Sequence, residues 1–119
     1  MTERRFESRF LCSDLIRVNW LSSGGHDRPR TAEAVLEDIS ALGVCVQVEE
    51  PIPPGTAISI SLTNGETVLF PGHVSYCIYR EYGYFIGIRF DGETRWSSGV
   101  FEPRHLTSLQ DLLPKPVLH

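Results

Sequence analysis

The dipeptide Asn64-Gly65 stands between two runs of alternating apolar and polar residues, "AISISL" before it and "ETVLFPGHVSY" after it. Both residues tolerate the positive φ of a type I′ turn, so the pattern predicts two adjacent antiparallel strands joined by a tight hairpin. The same period of two recurs along the chain. From Leu11 onward, Ile16, Val18 and Trp20 alternate with Arg17 and Asn19, which predicts a first strand rather than a helix. "SSGGHDRPR" (residues 22–30) is rich in turn formers and reads as a surface loop, after which "TAEAVLED" resumes as a second strand. Val44, Val46 and Val48 mark a third strand starting just after Gly43, and the prolines of "EEPIPPGT" end it. "HVSYCIYR" and "YFIGIRF" flank residues 81–83 and form a further hairpin. Six or more short strands punctuated by turns predict a closed antiparallel barrel or a sandwich. Near the end, Leu106, Leu109, Leu112 and Leu113 fall at helical spacing before Pro114 and Pro116, which predicts one C-terminal helix.

A chain of 119 residues, 41% hydrophobic and 22% charged, is expected to form one domain with one core. It has no apolar run long enough to span a bilayer and no basic-then-apolar leader, so neither a membrane span nor a secretory signal is expected, and the reading is a cytoplasmic protein. Cys12, Cys45 and Cys77 form an odd set without CxxC spacing and are expected to be reduced thiols, largely buried. A formal charge of −4 argues against sequence-blind DNA binding, which requires many phosphate neutralisations by a basic surface. Any anion bound here must therefore be small and held locally.

Catalysis lacks its parts. His26, His73, His105 and His119 show no HxH or HExxH spacing, and no serine lies in GxSxG, so no metal site and no enzyme activity are expected. Glu49-Glu50 precede prolines and read as a solvated turn rather than an acid/base pair. Tyr76, Tyr79, Tyr82, Tyr84 and Phe85 read as core or cross-strand pairs in preference to a base-stacking platform.

Two short segments carry more. "ERRFESRF" concentrates Arg4, Arg5 and Arg9 at the front of an acidic chain; beside Glu3 and Glu7 such a mixture is ordinarily a solvated face. "DISALG" (residues 38–43) places Asp38 and Ser40 two apart in a β segment, with oxygens on one side, and ends on Gly43, which can take positive φ in a tight turn. Any β-turn uses similar residues. With this composition an RxxxR is expected by chance roughly once per chain, whereas [DN]xSxxG is expected at roughly 0.05 per chain, so the second motif carries nearly all the specificity.

The order of the two, arginines before the first strand and DxSxxG between the second and third, makes this sequence resemble the PilZ domain family over roughly residues 4–113. "PIPPGTAISISL" and "GHVSYCIYREYGYFIGIRF" fit the same pattern. The resemblance implies a six-stranded antiparallel β-barrel with a C-terminal α-helix, and a receptor for the bacterial second messenger cyclic di-GMP, with no further cofactor. It implies ligand binding by Arg5, Arg9, Asp38, Ser40 and Gly43. Arginine forks suit guanine edges and phosphate oxygens, and a carboxylate at position 38 suits guanine N1–H and N2–H. In the family, an arginine at the position of Arg4 accompanies a stacked pair of ligands, so two cyclic di-GMP per protomer are implied. Residues 1–10 are read as a flexible arginine-rich gripping segment and residues 11–119 as the barrel domain with its helix. The chain carries no output domain, so its signal is expected to pass to a separate partner protein. The alternative is a ligand-free PilZ-like adaptor that binds proteins only.

Overall fold

A computed structural model describes residues 9–22, 28–64, 66–103 and 107–108. Seven strands follow in chain order: β1 (Arg9–Ser22), β2 (Arg28–Ser40), β3 (Gly43–Val48), β4 (Ala57–Asn64), β5 (Glu66–Arg80), β6 (Gly83–Phe90) and β7 (Thr107–Ser108). The hydrogen-bonded order is β2-β3-β6-β5-β4-β1-β7, and a further β1–β2 pairing closes the first six strands into an antiparallel barrel. The barrel consists of two three-stranded meanders, β1-β2-β3 and β4-β5-β6, joined along two seams. One seam pairs Val44 with Ile88 between β3 and β6; the other pairs Val18 with Ile60 between β1 and β4.

The alternation read from the sequence is the barrel's inside-outside pattern. Val18, Leu36, Val46, Ile60, Leu62 and Ile86 are wholly buried, one or more from nearly every wall. Burying such a side chain stabilises the fold by about 1.5–3 kcal/mol relative to leaving it exposed. One long strand, β5, does the work expected of two: its first half pairs with β4 (Thr67 with Thr63, Phe70 with Ile60) and its second half with β6 (Cys77 with Ile86, Tyr79 with Tyr84). Asn64 pairs with Glu66 at the predicted hairpin, and Gly65 lies outside the described residues. After β6 the chain folds back over the barrel rim. Trp96 donates its backbone N–H to Ala41 O (3.0 Å) and its indole N–H to Phe101 O (2.8 Å), and it meets Phe10 edge to face at 5.7 Å.

The described residues bear on four expectations. The first strand starts at Arg9, so Arg9 and Phe10 belong to the barrel and not to a separate leading segment; the register with Ser40 and Ile39 draws them in. Among the described residues there is no helix. Thr107 and Ser108, inside the predicted helix, pair with Leu11 and Phe10 as a strand, because the edge of β1 beyond its β4 ladder is open to them; the rest of the leucine-spaced segment lies outside the described residues. Gly43 is not among the described glycines of positive φ and begins a regular strand. None of the five clustered aromatics is a buried core residue. Tyr79 and Tyr84 do form a cross-strand pair, with centroids 5.4 Å apart.

Candidate functional site

A carboxylate and an arginine far apart in sequence meet at one end of the barrel. Because Leu11 pairs with Asp38 and Arg9 with Ser40, the start of β1 lies against the end of β2, and the Arg9 guanidinium donates to Asp38 Oδ1. The pair remains accessible, with side chains 35% and 23% exposed. The two border a cleft of about 480 Å³ whose other walls include Gly43, Ser75, Tyr76, Gly87 and Arg89.

The register explains why these residues converge. Across the outer surface, Leu11, Asp38, Cys45, Gly87 and Tyr76 form one cross-strand row through β1, β2, β3, β6 and β5. Two members of that row follow a β-bulge: the ladder shifts between Leu36 and Asp38 on β2 and between Val74 and Tyr76 on β5. A bulge bends its strand and re-aims the side chains that follow, which places Asp38 and Tyr76 on facing sides of the cleft.

The DxSxxG segment has a structural job at this site. Ser40 is fully buried; its hydroxyl donates to Gly43 O (3.2 Å) and accepts from Leu42 N–H (3.3 Å), bracing the turn from β2 into β3. Phe90 N–H holds the turn through Leu42 O at 2.9 Å, and Trp96 holds it through Ala41 O. A Cβ on Gly43 would stand 2.3 Å from the Ile88 carbonyl, so close approach of β3 to β6 requires glycine here. Asp38 is thus presented by a rigid turn.

Tyr76 and Arg89 also reach this cleft, and no motif in the sequence marks either as a site residue. The Tyr76 ring lies directly on Gly87, 2.0 Å from where a Cβ would be, and is 40% exposed. Burial, then a hydrogen bond with the Cys45 thiol, pushes its phenol up to about 12, so the ring is neutral over the physiological range. Burial likewise raises the Cys45 thiol. Arg89 is exposed, sits between Gly43 and His73 in the register, and makes no ion pair with any described residue. The alternation of Gly87 and Arg89 with Ile86, Ile88 and Phe90 marks both as outward-facing, but their position beside Asp38 depends on β3 pairing with β6, which no local pattern reveals.

The described side chains give this cleft two guanidinium groups against one carboxylate, a balance suited to an anion that also offers hydrogen-bond donors. Of the predicted site residues, Arg9, Asp38, Ser40 and Gly43 come together here; Arg4 and Arg5 lie outside the described residues. The sequence profile of the PilZ domain family matches residues 3–96. The chain belongs to the PilZ domain family. A search of curated proteins gave no match to it. PilZ domains are binding and receptor domains, and the family is one of cyclic di-GMP receptors. The cleft of this PilZ domain lies at the turn carrying its DxSxxG segment. Among the described residues no cluster of His, Cys, Asp or Glu could hold a metal, and no helix is long and apolar enough to cross a membrane.

Proposed function

We propose that this PilZ domain is a receptor that binds cyclic di-GMP at the Arg9–Asp38 cleft and passes the signal to a partner protein. The observation that carries the reading is the meeting of Arg9, from the start of β1, with Asp38, from the end of β2, beside Arg89 and Tyr76. Arg9 supplies a planar fork for a guanine edge or a phosphate, and Asp38 accepts from guanine N1–H and N2–H, a donor pattern adenine does not offer. Tyr76 offers an aromatic face for a purine, and Arg89 a second guanidinium for a phosphodiester. Arg5 completes the grip from the N-terminal side. Ser40 and Gly43 act chiefly by holding the turn that presents Asp38.

Arg4 supports two stacked ligands per protomer: a stacked pair brings four phosphates and an additional guanine edge, which a third guanidinium can neutralise or pair. Calorimetry with cyclic di-GMP, cyclic di-AMP and GTP tests the whole reading. The expected result is tight binding of the first alone, with a stoichiometry near two that falls toward one in Arg4→Ala. The Arg9–Asp38 ion pair, which satisfies both groups without a ligand, favours the adaptor as the second reading. Silence with all three nucleotides would decide for it.

A further inference from the structure

β2 extends well past its pairing with β3. Its ladder with β1 continues to Arg28, opposite Ser22, whereas its ladder with β3 reaches no further than Val35, opposite Gln47. Residues 28–34 therefore have β1 along one edge and no strand along the other among the described residues. Antiparallel strands turn their N–H and C=O groups alternately to either side, so this stretch presents backbone donors and acceptors outward.

The space where β2 and β3 part is a cleft of about 830 Å³. Residues 30–35 line one wall without interruption, and residues 47–50 line the other. Side chains on one face of a strand would line a cleft at every second position, so an unbroken run means that the strand's edge forms the wall. One end is closed: Arg30 donates to both Glu50 carboxylate oxygens at 2.6 and 2.9 Å, and Pro29 has no N–H to offer. Leu15, 71% exposed and in register with Val35, adds apolar surface, as does Tyr82, 82% exposed and carried by a turn that Gln47 holds through Tyr82 O at 3.1 Å.

From the open edge and the cleft beside it, we infer that residues 28–34 of β2 take up an extended peptide of a partner protein as an added strand. The edge carries the inference; the side chains choose the peptide. Glu33, Glu49 and Glu50 line the cleft with Arg30 the one cation among its described lining residues, so the fitting segment is basic, with apolar residues at alternate positions to meet Leu15, Val35 and Tyr82. In strand addition the main-chain bonds supply affinity and the alternate side chains select. The edge lies toward the opposite end of β2 from Asp38, and the inference does not depend on nucleotide binding.

The test uses the full ¹⁵N-labelled chain and the synthetic peptide acetyl-Lys-Val-Arg-Val-Lys-Val-amide. Its binding is expected to shift the amide resonances of residues 30–35 and 47–50 and to slow hydrogen exchange at the alternate amides of residues 31–34 that do not pair with β1. A version with glutamate at each basic position, and one N-methylated throughout, are each expected to bind at least about tenfold more weakly. The double variant Glu33→Lys, Glu49→Lys is expected to weaken the basic peptide by about tenfold with an unchanged melting temperature. Equal binding of the N-methylated peptide would show recognition by a face and overturn the inference. So would shifts confined elsewhere, equal binding of the acidic peptide, or no binding up to about 1 mM. Slow exchange in the free protein at those amides of residues 31–34 that do not pair with β1 would overturn it as well, because the chain itself would then occupy the edge.

Discussion

Arg9 and Asp38, 29 residues apart in the chain, form an ion pair at the mouth of the cleft, so each already satisfies the other before any ligand arrives. A guanine that takes the Asp38 carboxylate must displace a guanidinium, and the released fork is then available to the same ligand. Asp38→Ala should cost about 1–3 kcal/mol of cyclic di-GMP affinity and narrow the preference over cyclic di-AMP. Calorimetry with both dinucleotides checks this. Because the pair is partly exposed, the same substitution should change folding stability by no more than about 1 kcal/mol in urea denaturation.

Arg9→Lys keeps the charge but replaces a planar fork with a point charge. If Arg9 pairs bidentately or stacks, the lysine variant should lose most of the affinity that Arg9→Ala loses. Wild-type affinity of the lysine variant at ordinary salt would reduce Arg9 to a counter-charge for phosphate.

The two strand glycines at the site should behave differently under substitution. Gly43→Ala drives a methyl group against the backbone carbonyl of Ile88, which moves only if the β3–β6 seam opens, so a loss of about 1–3 kcal/mol in stability is expected. The nearest atoms that Gly87→Ala meets belong to the ring of Tyr76, a side chain that can swing away. Its chief effect should be displacement of that ring, read as weakened cyclic di-GMP binding with a smaller loss of stability in the same denaturation experiment.

Glu37 occupies the bulge next to Asp38, and burial, then the Asp38 charge, raise its carboxyl above the ordinary 4.5. The folded state holds this proton more tightly than the unfolded chain does. Its contribution to stability is therefore full below 4.5 and is lost as pH rises through the raised value. Glu37→Gln should be more stable than wild type at about pH 7, with the advantage vanishing at about pH 4 or below; urea midpoints at the two pH values check the sign. An advantage that grew on acidification would contradict it.

The thiols should separate by environment. Burial, with Asp14, Asp38 and Glu37 nearby, pushes Cys12 up to about 12, and burial raises Cys45, whereas Cys77 is only partly buried. Under native conditions an alkylating reagent should modify Cys77 first, and the other two only on unfolding. Mass spectrometry of peptides after timed quenching reads the order.

Much of the barrel was legible because its signal is local. Ile58, Ile60 and Leu62, or Val44, Val46 and Val48, declare an inward face within six residues, and Asn64-Gly65 declares a hairpin. The site was legible only where a motif marks it. Asp38, Ser40 and Gly43 sit in one short segment, whereas Tyr76 and Arg89 reach the same cleft through strand order and a bulge, neither of which leaves a periodic trace. The physical reason for Gly43 was also hidden, since it lies in the distance to a carbonyl on another strand.

The two-meander construction sets a timetable for synthesis. When the ribosome has added Val48, β1, β2 and β3 are complete, yet their apolar face has nothing to rest on, because both seams await β4 and β6. The lining cannot be sealed until Phe90 is made, an interval of several seconds at about 5–20 residues per second. During that interval Val18, Leu36 and Val46 sit on an open sheet with two unpaired margins, the kind of nascent surface that chaperones cover and that neighbouring nascent chains can join. The arrival of β4 covers one of these margins and that of β6 the other.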